Sequence, residues 1–243
     1  MARASVVIVD YGLGNLFSVE RAVRHLGAEA VISSDPVALE TADRVILPGV
    51  GAFGDGMRNL RKRGLIAPLL AYAGSGRPLL GICLGMQLLM SESEEFGLHQ
   101  GIGLVTGKVV RLRSPTSEDR FRVPHIGWNA LHSHWKIQTA TPWQGTLLQY
   151  LEQGTFMYFL HSYVVVPENP SVCLAVTRQG RDTFCSVLRH GNTSGVQFHP
   201  ERSGEDGLRL FRAFLSQIIG STAGAKGGGE HDGQDAQHVR SAA

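Results

Sequence analysis

Apolar and polar positions along this chain fall into two textures, with the change near Gly101. Before it, short unbroken apolar runs alternate with helical spacing. Ser5 to Asp10 (SVVIVD), Ala30 to Ser33, Arg44 to Leu47 and Leu79 to Ile82 are runs of the kind found in strands buried on both faces. Between the first two, Leu16, Val19, Ala22, Val23 and Leu26 recur at helical spacing and Gly27 supplies the stop. Asp35-Pro36 gives the N-cap acid and N1 proline of a short second helix. Residues 55–75 also read as helical, with breaks at Gly64 and Pro68. The order strand, helix, strand, helix predicts an α/β fold: a mostly parallel central sheet with helices on both faces.

After Gly101 the helical spacing fades. Val105 to Arg113, Val123 to Leu131, Phe156 to Val166, Val172 to Thr177 and Thr183 to Arg189 are strand-like, and residues 144–152 carry the one helical pattern among them. This half reads as an antiparallel β addition to the first sheet. Ser114 to Arg122 is a polar exposed loop. Ser194 to His199 is a further strand. Ser203 and Asp206 form an S-x-x-D box before a helix from Leu208 to Ile219, with Leu208, Phe211, Leu215 and Ile218 on one face. Beyond Gly220 the chain is glycine, alanine, serine and polar residues, too poor in apolar content to fold. The organisation expected is one domain over residues 1–220 and a disordered tail over 221–243, without internal repeats.

Composition narrows the setting. The 243 residues are 43% hydrophobic and 18% charged, with a formal net charge of +2, which gives no reason to expect nucleic acid or an anionic membrane as partner. No run approaches a membrane span, and Asp10 cuts short the apolar stretch that a signal peptide would need. Cys83, Cys173 and Cys185 are an odd, sparse set without metal-ligand spacing, so neither a disulfide framework nor a metal site is expected and a reducing cytoplasm is the simplest home.

The chemistry gathers where strands end. Gly81-Ile82-Cys83-Leu84-Gly85 is G-x-C-x-G, the thiol form of the nucleophile elbow, a strained strand-to-helix turn that sets the side chain at a helix N-terminus. Unpaired N–H groups there favour a thiolate, and the Leu84 N–H can hold an oxyanion. A thiol nucleophile needs a base and a group that orients the base. His199 ends a strand, and across an extended His-Pro-Glu segment Glu201 points to the same side. The set Cys83, His199 and Glu201 points to acyl transfer through a thioester. Gly49, Gly51 and Gly54 spell G-x-G-x-x-G, but they follow a third strand and no acid lies between Gly56 and Ser91 to bind a ribose. A glycine loop whose N–H groups face developing negative charge suits them better. Asn15, after the turn Tyr11 to Gly14, reads as a plain N-cap or as a functional residue.

GICLGMQLL with GVQFHPE resembles the class I (triad) glutamine amidotransferases, and the likeness runs from about Val6 to Leu215. PGVGAFGDGM and PHIGWN (Pro124 to Asn129) resemble the branch that serves as glutaminase subunit of imidazole glycerol phosphate synthase in histidine biosynthesis. The resemblance implies a flavodoxin-like amidotransferase fold. It implies that Cys83 attacks the glutamine amide, His199 acts as base and then acid, and Glu201 orients it. It implies an oxyanion hole from the backbone of Val50 and Leu84, completed by a flip of the PGVG strand. Substrate contacts would come from Gly49, Gly51, Gln87, Glu95 and the segment His161, Ser162 and Tyr163, with Glu95 on the α-ammonium. No cofactor is implied. The implied partner is a (βα)8-barrel cyclase subunit that receives the ammonia in a heterodimer, with Asn15, Tyr158 and Arg202 at contact and gating positions. At the last of these the family commonly has lysine, which is not equivalent to arginine. Three other readings stand beside it: a glutaminase for another ammonia-channelling synthase, a stand-alone cysteine hydrolase, and a non-catalytic subunit that keeps the fold.

Overall fold

The computed structural model describes residues 4–113, 122–134, 137 and 139–217; the expected loop at 114–122, all but its last residue, and the tail, with Ile218, lie outside them. The first half runs β1 (Ser5–Val9), α1 (Leu16–His25), β2 (Glu29–Ser33), α2 (Pro36–Thr41), β3 (Arg44–Gly49), α3 (Phe53–Lys62), α4 (Ile66–Gly74), β4 (Leu79–Cys83) and α5 (Leu84–Leu88). Then come β5 (Met90–Ser93), β6 (His99–Gln100), β7 (Val105–Arg111), β8 (His125–Ala130), β9 (His132–Ser133), β10 (Phe156–His161), β11 (Tyr163–Pro167), β12 (Cys173–Gln179), β13 (Asp182–His190), β14 (Thr193–Val196) and α6 (Gly204–Leu215).

The main sheet has eight strands in the order β2-β1-β3-β4-β14-β13-β12-β9. Its first five are parallel, and β13, β12 and β9 continue it antiparallel. The expected fold class holds, and the antiparallel addition divides in three. Part extends the main sheet, part is a four-stranded sheet ordered β11-β7-β5-β6, and β8 with β10 is a separate ribbon.

Alternate strand residues explain why both faces are covered. Val7, Val9, Val45 and Leu47 pack with Phe53, Met57, Leu60, Leu69 and Tyr72 of α3 and α4. Val6, Ile8, Ile46 and Leu80 pack with Val19 and Val23 of α1 and Phe211 and Phe214 of α6. Each such side chain contributes about 1.5–3 kcal/mol on leaving water. This is the two-sided burial that unbroken apolar runs require.

Two helix expectations are corrected. Pro68 does not break a helix: it lies in the first turn of α4, where no intrahelical N–H is needed, and the break falls at Gly64 with φ +67°. Residues 144–152 form successive turns instead of a helix, closed by bonds such as Thr146 N–H to Trp143 O and Leu151 N–H to Leu148 O. Gly145 at φ +70° breaks the run, while Leu147, Leu148 and Leu151 still reach the core.

Candidate active site

Cys83 closes β4 and starts α5 with φ +53° and ψ −109°. A side chain held there costs roughly 1–3 kcal/mol and persists only where the surroundings impose it. The imposition is close packing. A Cβ on Gly85 would stand 1.7 Å from the Leu47 carbonyl oxygen, so only glycine lets α5 come down against β3.

His199 follows β14, which lies beside β4 in the sheet. Its Nδ1 is 2.9 Å from Glu201 Oε1, and the two side chains are 3% and 1% exposed. The carboxylate accepts, so Nδ1 carries the hydrogen and Nε2 is left as the basic nitrogen. Among the described residues Nε2 has no hydrogen-bond partner. Burial by itself lowers the affinity of this imidazole for a proton, but Cys83 and Glu201 overcome it and lift the pKa to about 10. A negative charge on the Cys83 sulfur together with Glu201 would thus favour an imidazolium at His199.

The bond between His199 and Glu201 is as expected, but the backbone between them is not extended. Pro200–Arg202 is a turn of 3-10 helix with Pro200 at its first position. The S-x-x-D box is also corrected. Ser203 precedes α6 without capping it by its side chain. Its hydroxyl donates to the His199 carbonyl at 2.7 Å and accepts from the Tyr158 N–H at 3.0 Å, while His199 N–H donates to the Tyr158 carbonyl at 2.8 Å. Ser203 thus ties the triad segment to β10. Asp35 does cap α2, accepting from Val37 N–H. Asn15 precedes α1 without a side-chain cap bond.

Cys83 opens on a cleft of about 400 Å³ lined by Val50, Gly51, Leu84, Gln87, Glu95 and residues 160–163, among others. It therefore brings together most of the expected substrate residues. Gly49 lies beneath the wall, paired with Cys83 in the sheet register. Gln87 is buried and not a solvated helix residue; its Nε2 donates to the Tyr163 carbonyl at 2.9 Å. Glu95 is buried too, and its Oε2 accepts from Phe53 N–H at 2.6 Å, at the N-terminus of α3. Burial raises its pKa and that bond from Phe53 opposes the rise. The neighbouring Glu94 points outward and pairs with Lys108 at 2.8 Å, so the acids of this segment do not share a face.

Behind the cleft runs a directed chain of hydrogen bonds. His161 Nδ1 is 3.1 Å from the Tyr163 carbonyl and so must be the protonated nitrogen. Its Nε2 then accepts from His125 Nδ1 at 3.2 Å. His125 Nε2 in turn accepts from Asn129 Nδ2 at 3.3 Å, and that nitrogen is identified by its 2.9 Å bond to the Arg178 carbonyl. Desolvation lowers the His125 pKa to about 4, and desolvation with the neighbouring His125 lowers that of His161 to about 3. Both rings are neutral in the folded protein and protonate near pH 6.5 when unfolded. The unfolded chain then binds more protons below pH 6.5, so stability falls as the pH drops from about 6.5 to 4. We expect chemical denaturation to show stability falling as the pH drops below about 6.5, with a limb that flattens in His125→Gln; an acid limb unchanged in that variant would be the contrary result.

Tyr158 and Arg202 do meet, with the guanidinium 4.4 Å above the ring centroid. Tyr158 also packs edge-on against Trp128 at 6.1 Å. Ile126, Trp128 and Phe156 of the ribbon are 60%, 55% and 57% exposed. Sequence reasoning missed this apolar face, although the alternation of β8 carries it: His125 turns inward while Ile126 and Trp128 turn outward. It also missed Gln197 and Tyr11. The Tyr11 hydroxyl is fully buried under the Gly49 loop and without a hydrogen-bond partner among the described residues.

The sequence profile of "Glutamine amidotransferase class-I" matches residues 7–218. The chain belongs to the class I glutamine amidotransferases. Among relatives it is similar to "Imidazole glycerol phosphate synthase subunit HisH" of Syntrophotalea carbinolica, 46% identical over 211 residues, covering 86% of this chain and 98% of the relative. The subunit of the same name from Symbiobacterium thermophilum is 48% identical over 207 residues, covering 85% and 91%. Among solved structures, PurLQS from Thermotoga maritima superposes with a TM-score of 0.62 at 21% identity, covering 88% of this chain and 98% of that one, which supports the amidotransferase fold. No helix among the described residues is long and apolar enough to cross a membrane.

Proposed function

We propose that this amidotransferase is the glutaminase subunit of an imidazole glycerol phosphate synthase and passes ammonia to a (βα)8-barrel cyclase in a heterodimer. The observation that supports this reading is the buried His199–Glu201 side-chain pair, just after the strand beside the one that ends in Cys83, in a chain similar to HisH subunits over nearly their entire length. His199 Nε2 takes the Cys83 proton and the thiolate attacks the side-chain amide carbon of glutamine. The oxyanion is held by the N–H groups of Leu84 and Val50. His199 then protonates the leaving nitrogen, ammonia departs and a glutamyl thioester remains. Water, deprotonated by His199, adds to the thioester, and collapse releases glutamate and restores the thiol. Glu95 supplies the negative charge for the α-ammonium, and Gln87 and the His161–Tyr163 segment complete the pocket.

The ammonia acceptor docks on the ribbon face. Ile126, Trp128 and Phe156 are the exposed apolar centre that an interface uses, and Tyr158 stacked under Arg202 sits beside the triad turn. A stand-alone hydrolase has no use for such a face. The test combines the chain with the barrel subunit and its ribulosyl aminoimidazole-carboxamide nucleotide: glutamine should support formation of imidazole glycerol phosphate and the aminoimidazole carboxamide ribonucleotide. Trp128→Glu should raise the Kd for the barrel by about 30-fold or more, read by titration calorimetry, while ligand binding in the glutamine cleft is unchanged. Turnover with a different ammonia-accepting synthase, and none with this one, would refute the assignment.

A further inference from the structure

Gln197 is 0% exposed and is used by no step above. Its orientation follows from its neighbours. The Tyr163 carbonyl can only accept, so the Gln87 atom 2.9 Å away is the amide nitrogen. That carbonyl is held in turn by His161 Nδ1. The Gln87 nitrogen also lies 3.3 Å from Gln197, which must therefore present its oxygen, Oε1, as acceptor. Only the nitrogen of Gln197 is left to face the other way, and it stands 3.8 Å from Cys83 Sγ, within reach of an N–H···S bond. The neutral thiol has a separate acceptor, the Leu160 carbonyl at 3.7 Å.

We propose that Gln197 is a catalytic residue that donates its amide N–H to the Cys83 sulfur and holds the negative charge there when His199 has removed the proton. The proposal deepens the glutaminase reading and rests on Cys83 being the nucleophile. The thiol hydrogen goes to Leu160 O in the resting enzyme. Once that proton is on His199, the carbonyl offers the sulfur nothing and the Gln197 N–H becomes a side-chain donor to it beside the imidazolium. Hydrogen bonds to a charged partner are about twice as strong as neutral ones, so the contact gains in strength at the moment of attack. It gains again when thiolate leaves as the thioester is hydrolysed. Gln87 then serves two ends. Both its N–H groups are committed to the protein, so only its carbonyl oxygen remains to meet an N–H of the ligand, and its nitrogen keeps Gln197 from turning over.

The experiment reads the second-order rate at which iodoacetamide alkylates Cys83 in the full chain at neutral pH, by peptide mass, which needs neither glutamine nor partner. Gln197→Met keeps the volume and removes the donor. Gln197→Glu keeps the shape and the acceptor facing Gln87 but replaces the N–H by an oxygen. Each is expected to slow alkylation about tenfold or more, and in the assembled synthase to lower kcat with KM for glutamine unchanged. Gln87→Met leaves Gln197 in place but free to turn, and is expected to slow alkylation about threefold. A Gln197→Met protein that melts cooperatively and is alkylated at the wild-type rate overturns the proposal. If neither Gln197 variant folds, a wild-type rate in Gln87→Met overturns it instead. If wild-type Cys83 reacts no faster than the buried Cys173 and Cys185, the nucleophile assignment fails and this proposal fails with it.

Discussion

Cys83→Ala is expected to abolish glutamate release, by about 10⁴-fold or more, while the protein still folds, still binds the cyclase and still supports the cyclase reaction when ammonium salts replace glutamine. The loss follows because the base, the orienting acid and the oxyanion donors have nothing to act on without the sulfur. Triads whose nucleophile is removed fall on this scale, since their members work as a unit. The fold survives because the elbow depends on the glycines and not on the thiol. Gly85 still admits α5 against Leu47, and alanine meets the same φ near +53° that cysteine already tolerates. Partner binding survives because the substitution removes only a buried sulfur and leaves the exposed ribbon side chains Ile126, Trp128 and Phe156 unchanged. Glutamate assays, a cooperative thermal melt, sedimentation of the complex and the ammonium-dependent reaction check the four parts. Glutamate release near the wild-type rate would remove the thioester mechanism.

The central half of this structure was legible because burial on two faces writes an unambiguous signal. Val6 to Val9, Val45 to Leu47 and Leu79 to Ile82 are continuous apolar runs, and each is a buried inner strand. The elbow was legible for a related reason: the close approach of α5 to β3 admits only glycine at 85, and that need is visible in the letters. What the sequence did not disclose was where polar side chains turn. Ser203 has the spacing of a cap, but its hydroxyl finds better partners in His199 and Tyr158, and no local pattern records a contact 45 residues away. Gln197 stands in a buried apolar strand end, where an amide announces only that some partner must exist. Residues 144–152 have the apolar spacing of a helix because Leu147, Leu148 and Leu151 do reach the core, yet Gly145 lets turns deliver them as well. The three-way division of the second half depends on long-range pairing, which spacing along the chain does not encode.

The isolated chain is expected to release glutamate slowly, and saturation with the cyclase and its nucleotide to raise kcat by about 10²–10³ or more. The two proposed oxyanion donors are held unequally. Leu84 N–H belongs to the first residue of α5, whose place is fixed by the packing of Gly81 and Gly85. The second donor, Val50, lies in a joint. On one side Gly49 is locked: a Cβ there would stand 2.0 Å from the buried Tyr11 hydroxyl. On the other, Phe53 N–H is held by Glu95. Between them Val50 is 37% exposed, and Gly51 sits at φ +109°, a region that side chains avoid and glycine enters freely. One peptide between two fixed points can turn without moving either, exchanging a carbonyl for an N–H towards Cys83. Losing one such donor costs about 10²–10³ in kcat, which sets the size of the expected activation. The nucleophile itself has no part in this switch, and that gives the discriminating measurement. Partner and nucleotide should raise glutamate release while leaving the rate of Cys83 alkylation by iodoacetamide within about twofold, because alkylation forms no oxyanion. Full glutaminase activity in the isolated chain, or alkylation that rises in step with turnover, would place the control at the thiol and not at the Val50 peptide.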